Sequence, residues 1–141
     1  MRRLFSNRSS FKEERQTVQD LAAVLINAQK DFEFSREMRY YTGTLHVAIG
    51  EKAWRATYDD GKFLSVEPSD TDPQGAAIWI KGTEEQWKDM TAEHPRPFFQ
   101  SLQSSSAKHG VLLSNTHQLY AYLPALNRLM QIFRQLNREG A

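Results

Sequence analysis

The spacing Asp70-x-Asp72 with Gly75 at the sixth position has the opening of a calcium-binding loop. The match stops there. Its twelfth position is Lys81, where a bidentate glutamate would close the coordination sphere, and no helical pattern precedes it. The stretch reads as a solvated turn between strands. Among His46, His94, His109 and His117 no two stand at metal-ligand spacing, so they imply no metal site. The chain has no cysteine, which removes thiolate nucleophiles, thiolate metal sites and disulfides. It also lacks a Gly-x-Ser-x-Gly elbow, a glycine-rich phosphate loop and a dinucleotide fingerprint. Glu84 and Glu85 fall at a helix start, where the macrodipole favours carboxylates, and do not form an acid–base pair. The expectation is a protein without catalysis, cofactor or metal.

The chemistry left over is that of apolar surface. Trp54, Trp79, Trp87, Phe98, Phe99, Leu102 and a face from Leu119 to Phe133 are more large side chains than a small sheet obviously needs. Such residues fill the core of any domain. In surplus, with a few polar groups at one end, they line a pocket for an apolar ligand. The patterning alone leaves both outcomes open.

Positioning these residues falls to elements that can be read from periodicity. The short apolar run Ala76 to Ile80 predicts a strand, closed by Lys81-Gly82. Thr83 is an N-cap for the short helix that follows, with Glu84, Glu85 and Gln86 in its first turn. Trp87 and Met90, three apart, share one face. His94-Pro95-Arg96-Pro97 breaks the chain, and Phe98, Phe99 and Leu102 lie on the next apolar turn. Ser101 to Ser106 reads as a serine-rich connection and Val111 to Leu113 as the core of a last strand.

Upstream, Ser10 with Glu13 has capping-box spacing. Phe11, Val18, Leu21, Leu25, Ala28 and Phe32 then form one helical stripe from about Ser10 to Lys30. Asp31 to Tyr41 reads as a second short helix or an irregular segment. Leu45, Val47 and Ile49 alternate with Thr44, His46 and Ala48, predicting a strand. Trp54, Ala56 and Tyr58 predict a second, Asp59-Asp60-Gly61-Lys62 a hairpin turn, and Phe63 to Glu67 a third. Pro68 to Gln74 reads as a polar loop. At the other end, Leu119, Tyr122, Leu123, Leu126, Leu129, Met130, Phe133 and Leu136 mark an amphipathic helix with caps at Ser114 to Thr116. Pro124 interrupts it, so a break is expected, with Pro124 opening a new helix.

A chain of 141 residues fits one domain, here residues 10–138 behind a frayed tail at 1–9. No apolar run reaches about 18 residues and the start lacks an apolar signal core, so a cytoplasmic protein without a membrane-spanning segment is expected. The net charge of +1 hides an asymmetry: sixteen of the seventeen acids lie between Glu13 and Glu93, and none lies between His94 and Arg138. Arg96, Lys108, Arg128, Arg134 and Arg138 occupy that last stretch, a separation that steers anionic ligands, acidic partners or membrane surfaces, or is simply a solvated face. Arg2, Arg3 and Arg8 do not make a nucleic-acid protein, because the sheet region is acidic, the pI is about 8.0 and no nucleic-acid motif is present.

A strand ending at Gly82-Thr83, a helix with Trp87 one turn in, a proline break and the pair Phe98-Phe99 resemble the sterol carrier protein type 2-like family. The likeness extends to a further strand in Lys108 to Leu113, an amphipathic helix in His117 to Leu136, and a strand meander in Leu45 to Pro68, and so covers roughly residues 40–136. It implies a tunnel between sheet and C-terminal helices that binds lipids, sterols, fatty acyl chains or their coenzyme A esters. By position, Phe98, Phe99 and Leu102 match the helix bordering the tunnel. Leu119, Tyr122, Leu123, Leu126, Met130 and Phe133 match the C-terminal helix, and Trp54 and Trp87 join the lining. Arg128 and Arg134 would meet an anionic head group. Ser105 and Ser114 stand near places where the family has glycines, Pro124 interrupts the last helix, and the N-terminal helix is extra relative to the shortest members.

The expected fold is α+β: a five-stranded, mainly antiparallel sheet with helices over one face. The expected function is non-catalytic binding or transfer of a lipid-like molecule. A protein-interaction or homodimerisation module with a filled core is the first alternative, and an accessory domain to an enzyme the second.

Overall fold

The computed structural model describes residues 21–140, with side chains to Arg138. The capping pair Ser10–Glu13, Phe11, Val18 and the tail expected at 1–9 lie outside the described residues. Helix α1 is described over 21–28, and its Leu21, Val24, Leu25 and Ala28 are buried at three- and four-residue steps. Phe32 does not continue this stripe and is 78% exposed. The reason is local: Asp31 starts a new helix, its Oδ2 accepting from the Phe34 amide at 2.9 Å, and the register restarts. That helix, α2 (Phe32–Met38), buries Phe34 and Met38.

Five strands form one sheet among the described residues: β1 (Gly43–Ile49), β2 (Lys52–Asp59), β3 (Lys62–Ser69), β4 (Ile78–Gly82) and β5 (Leu112–Leu113). The order is β3-β2-β1-β4-β5. Three pairings are antiparallel, and β1 with β4 is parallel. The sheet is thus mainly antiparallel, with the helices over one face. At the β2–β3 turn both Asp60 (φ 49°) and Gly61 (φ 79°) are left-handed, the geometry that a two-residue hairpin favours. A β-carbon on Gly61 would lie 2.8 Å from Arg39 Cα, so glycine also lets α2 end against this turn.

Several boundaries differ from the sequence reading. β3 runs on through Pro68 to Ser69, which proline permits on an edge strand. β4 begins at Ile78 and includes Gly82; a β-carbon there would meet the Trp87 ring at 3.1 Å, so glycine makes room for the indole. The serine run is a helix, α4 (Leu102–His109), not a connection. Ser101 caps it, and Ser105 Oγ donates to the Ser101 carbonyl at 2.7 Å, so these two hydroxyls serve the helix's own backbone. Lys108 and His109 form the last turn of α4, leaving only Leu112–Leu113 for the last strand.

α3 (Glu84–Met90) starts as expected at Thr83, which exchanges hydrogen bonds with Gln86 in a capping box, and buries Trp87 and Met90. The C-terminal helix is divided into α5 (His117–Ala121) and α6 (Leu123–Gly140), with Pro124 the second residue of α6. There its missing N–H is one of the donors that a helix start leaves unpaired anyway.

Candidate apolar site beneath the C-terminal helices

The front face of the sheet is built from alternate residues: Leu45, Val47 and Ile49 of β1, Ala56 and Tyr58 of β2, Ile78 and Ile80 of β4, each at most 1% exposed. Trp87 closes over it from α3. Its ring is fully buried, its Nε1 donates to the Ala48 carbonyl at 3.0 Å, and its centroid lies 6.3 Å from that of Phe133. Leu119 on α5 and Leu126, Met130 and Phe133 on α6 are buried in the same cluster. Leu102, at the start of α4, is fully buried, and its amide donates to Asn127 Oδ1 of α6 at 2.8 Å. Phe99 is buried and stacks flat on His109, with centroids 3.8 Å apart. Trp54 sits at the margin of the cluster, 9% exposed.

Of the expected lining residues, Phe98 alone is exposed, while Tyr122 and Leu123 are half-buried against the core. Apart from Phe98, the apolar wall comes nearest to solvent at the α5–α6 break. A fully buried side chain has no water-sized space beside it. A tail reaching Leu126 or Phe133 must accordingly displace packed atoms, which close-packed interiors resist unless an element moves.

Patterning missed an aromatic cluster behind that break. Tyr122 meets Tyr41 edge-on with centroids 4.9 Å apart; Tyr41 lies 5.9 Å from Tyr58, and Tyr58 lies 5.8 Å from Phe63. Tyr41 donates its hydroxyl proton to the Thr44 carbonyl at 2.6 Å, and Tyr58 accepts from Gln29 Nε2 at 3.2 Å. Desolvation pushes both phenols up to about 12, so both stay neutral. Strand alternation already turned Tyr58 inward, whereas Tyr41 lay in the segment without clear periodicity.

Arg128 and Arg134 tie α6 to its neighbours. Arg128 grips Asp31 with two bonds, of 3.0 and 2.8 Å, lies 3.2 Å from Glu33, and also donates to Gln131. The guanidinium holds the Asp31 carboxyl below its ordinary range, and that carboxylate in turn raises the arginine. Arg134 donates to the carbonyls of Met90, Phe99 and Gln100 at 2.8, 3.1 and 3.1 Å, and burial lowers it. An anionic head group would have to compete with these partners.

The opposite face of the sheet has a different cover. His46 and Trp79 are direct cross-strand partners there, and the irregular segment 70–77 is tied to this face by His46 and Arg55. His46 Nε2 donates to the Asp70 carbonyl at 2.8 Å, and Arg55 donates to the Gln74 carbonyl at 3.0 Å. Asp70 and Asp72, which mimic a calcium loop in sequence, accept from the amides of Asp72 and Gln74 and so shape consecutive turns.

No family model matches the chain, and no curated protein matches it in sequence. Solved structures do. A crystal structure of sterol carrier protein 2 aligns over 84% of this chain and 94% of its own, with a TM-score of 0.62 and 14% identity. A solution structure from Thermus thermophilus, of a conserved hypothetical protein described as a possible sterol carrier protein, aligns over 87% and 85% with a TM-score of 0.54 and 14% identity. At that identity the likeness is one of fold, and the fold is sterol carrier protein 2-like.

Proposed function

We propose that this chain, with its sterol carrier protein 2-like fold as premise, binds an apolar lipid-like molecule of the sterol, fatty acid or acyl-coenzyme A class without catalysis. The observation that carries this reading is that two-piece helix: α5 and α6 lie over a wholly apolar sheet face and come apart at Tyr122–Leu123. A lipid tail would enter there and lie along Leu119, Leu126, Met130 and Phe133, with Trp87 and Phe99 at the far wall. Each Å² of apolar surface withdrawn from water contributes about 25 cal/mol, so affinity comes from the tail. Entry requires α5 to lift from α6, which the helical discontinuity makes easier than bending a continuous helix. Among the described residues no helix is long and apolar enough to cross a membrane.

Native mass spectrometry of the purified chain, with solvent extraction, tests the reading. A co-purifying apolar compound is expected, together with quenching of tryptophan emission by titrated acyl chains that is lost in Leu126→Trp or Met130→Trp. A chain that carries nothing and shows no saturable quenching sinks it. The full burial of Trp87, Leu102, Leu119, Leu126 and Phe133 favours a second reading, a filled core whose outer helices contact a partner or a second copy. Light scattering that shows a dimer in a ligand-free sample would select it.

A further inference from the structure

Phe98 has a backbone that bulky residues rarely adopt: its φ is 71°, where a β-carbon crowds the chain. Its ring is 50% exposed although Phe99 beside it is buried. This geometry is held from several sides. The Phe98 carbonyl accepts from Ser104 Oγ at 2.8 Å, and the Phe99 amide donates to the Arg96 carbonyl at 3.0 Å. His109 donates to the Pro97 carbonyl at 2.9 Å, and Pro95 and Pro97 each fix one backbone angle. Glycine would sit there without strain; the chain instead holds a large apolar ring in water, and strain kept in this way concentrates at functional positions.

The surroundings indicate what the ring meets. Lys108 Nζ lies 5.4 Å from the Phe98 centroid. Arg96, 66% exposed, neutralises Asp89 at 2.7 Å, and no Asp or Glu occurs from His94 to Arg138. An exposed aromatic ring next to a proline and beside a lysine suits a bilayer interface, where the ring enters the acyl–headgroup boundary and the long stem of Lys108 reaches lipid phosphates. We infer that Pro95, Arg96, Pro97, Phe98 and Lys108 form a tip that docks on an anionic lipid bilayer. Arg134 and Asn127 bind the backbone just behind this tip from α6, so docking brings the proposed lipid site to the membrane. The purpose of the tip rests on the lipid-binding reading; its test does not.

The test is co-sedimentation with vesicles of phosphatidylcholine alone or mixed with phosphatidylserine, at low and high salt. The wild-type chain should partition onto the mixed vesicles and be released by salt. Phe98→Gly should lower the partition coefficient about tenfold and at the same time raise Tm, because the left-handed strain is relieved. Lys108→Glu should weaken binding to the anionic vesicles only. Wild-type protein that ignores vesicles, or Phe98→Gly binding like wild type, overturns the inference. So does a Phe98-dependent self-association in light scattering without vesicle binding, which would make the tip a protein contact. Vesicle binding by a wild-type chain that carries no lipid and shows no saturable quenching by acyl chains would refute the lipid-site reading and leave the tip standing.

Discussion

On the face of the sheet under the helices, Leu45, Val47, Ile49, Ile78 and Ile80 meet Trp87 and α6, and the polar tips of Trp87 and Tyr41 reach backbone carbonyls. On the other face, which also carries Thr44 and Trp79, His46 and Arg55 hold a single irregular segment by two side-chain bonds to its carbonyls. The first cover depends on apolar area contributed by several helices, the second on local hydrogen bonds. The helical side is therefore expected to carry most of the stability, and the segment 70–77 less.

The strongest way to break that comparison is to delete one tryptophan from each side. Trp87→Ala removes the contact with Phe133 and the Nε1 bond to the Ala48 carbonyl, and leaves a large cavity in the core, at an expected cost of about 3–5 kcal/mol in chemical denaturation. Trp79→Ala, from a half-buried position, should cost roughly 1–2 kcal/mol. Equal losses would show that the two covers contribute alike.

A smaller effect sharpens how the helical cover is fastened. Asp31 caps α2 and holds Arg128 of α6, and its carboxyl is held low by that arginine. A carboxyl whose folded pKa is depressed contributes stability that is fully present above its unfolded pKa, about 3.9, and is lost as pH falls through the lower folded value. With partial solvent exposure the contribution is about 1 kcal/mol. Asp31→Asn keeps a good cap but removes the charge, so it should lower stability at neutral pH and flatten this part of the acid limb. Urea titrations from pH 7 to pH 2.5 read both; an unchanged acid limb would show that the ion pair does not fasten α6.

How much of this was legible in the sequence follows the same division. Strand alternation and capping depend on near neighbours, so β1, β2, the Asp60-Gly61 turn, the Thr83 cap and the break at Pro124 could be read. The resemblance carried by Gly82-Thr83, Trp87 and Phe98-Phe99 pointed to the fold that the solved structures share. The serine helix could not be read, because its hydroxyls favour several local conformations and only the Leu102–Asn127 bond and burial against the core select one. Nor could the split between Phe98 and Phe99. Two adjacent phenylalanines look alike until the backbone turns one outward. The partners of Arg128 and Arg134 were likewise hidden, since Asp31 is 97 residues from Arg128 in sequence.

The smallest expected effect belongs to the other face. Thr44 Oγ1 and His46 Nδ1 are buried and have no hydrogen-bond partner among the described residues. The Asp70 carbonyl can only accept, so Nε2 carries a proton, and Nδ1 is the ring nitrogen left facing inward. Thr44→Val deletes a hydroxyl that has no hydrogen-bond partner among the described residues while preserving its shape. It should change stability by less than about 0.5 kcal/mol in either direction, because no bond is lost and a buried polar atom is removed. A loss above about 1 kcal/mol would mean that the hydroxyl is satisfied by an ordered water shared with Nδ1, as buried waters commonly serve such pairs. The polar face would then be held by a network beneath the segment, not by the two bonds that tether it from above.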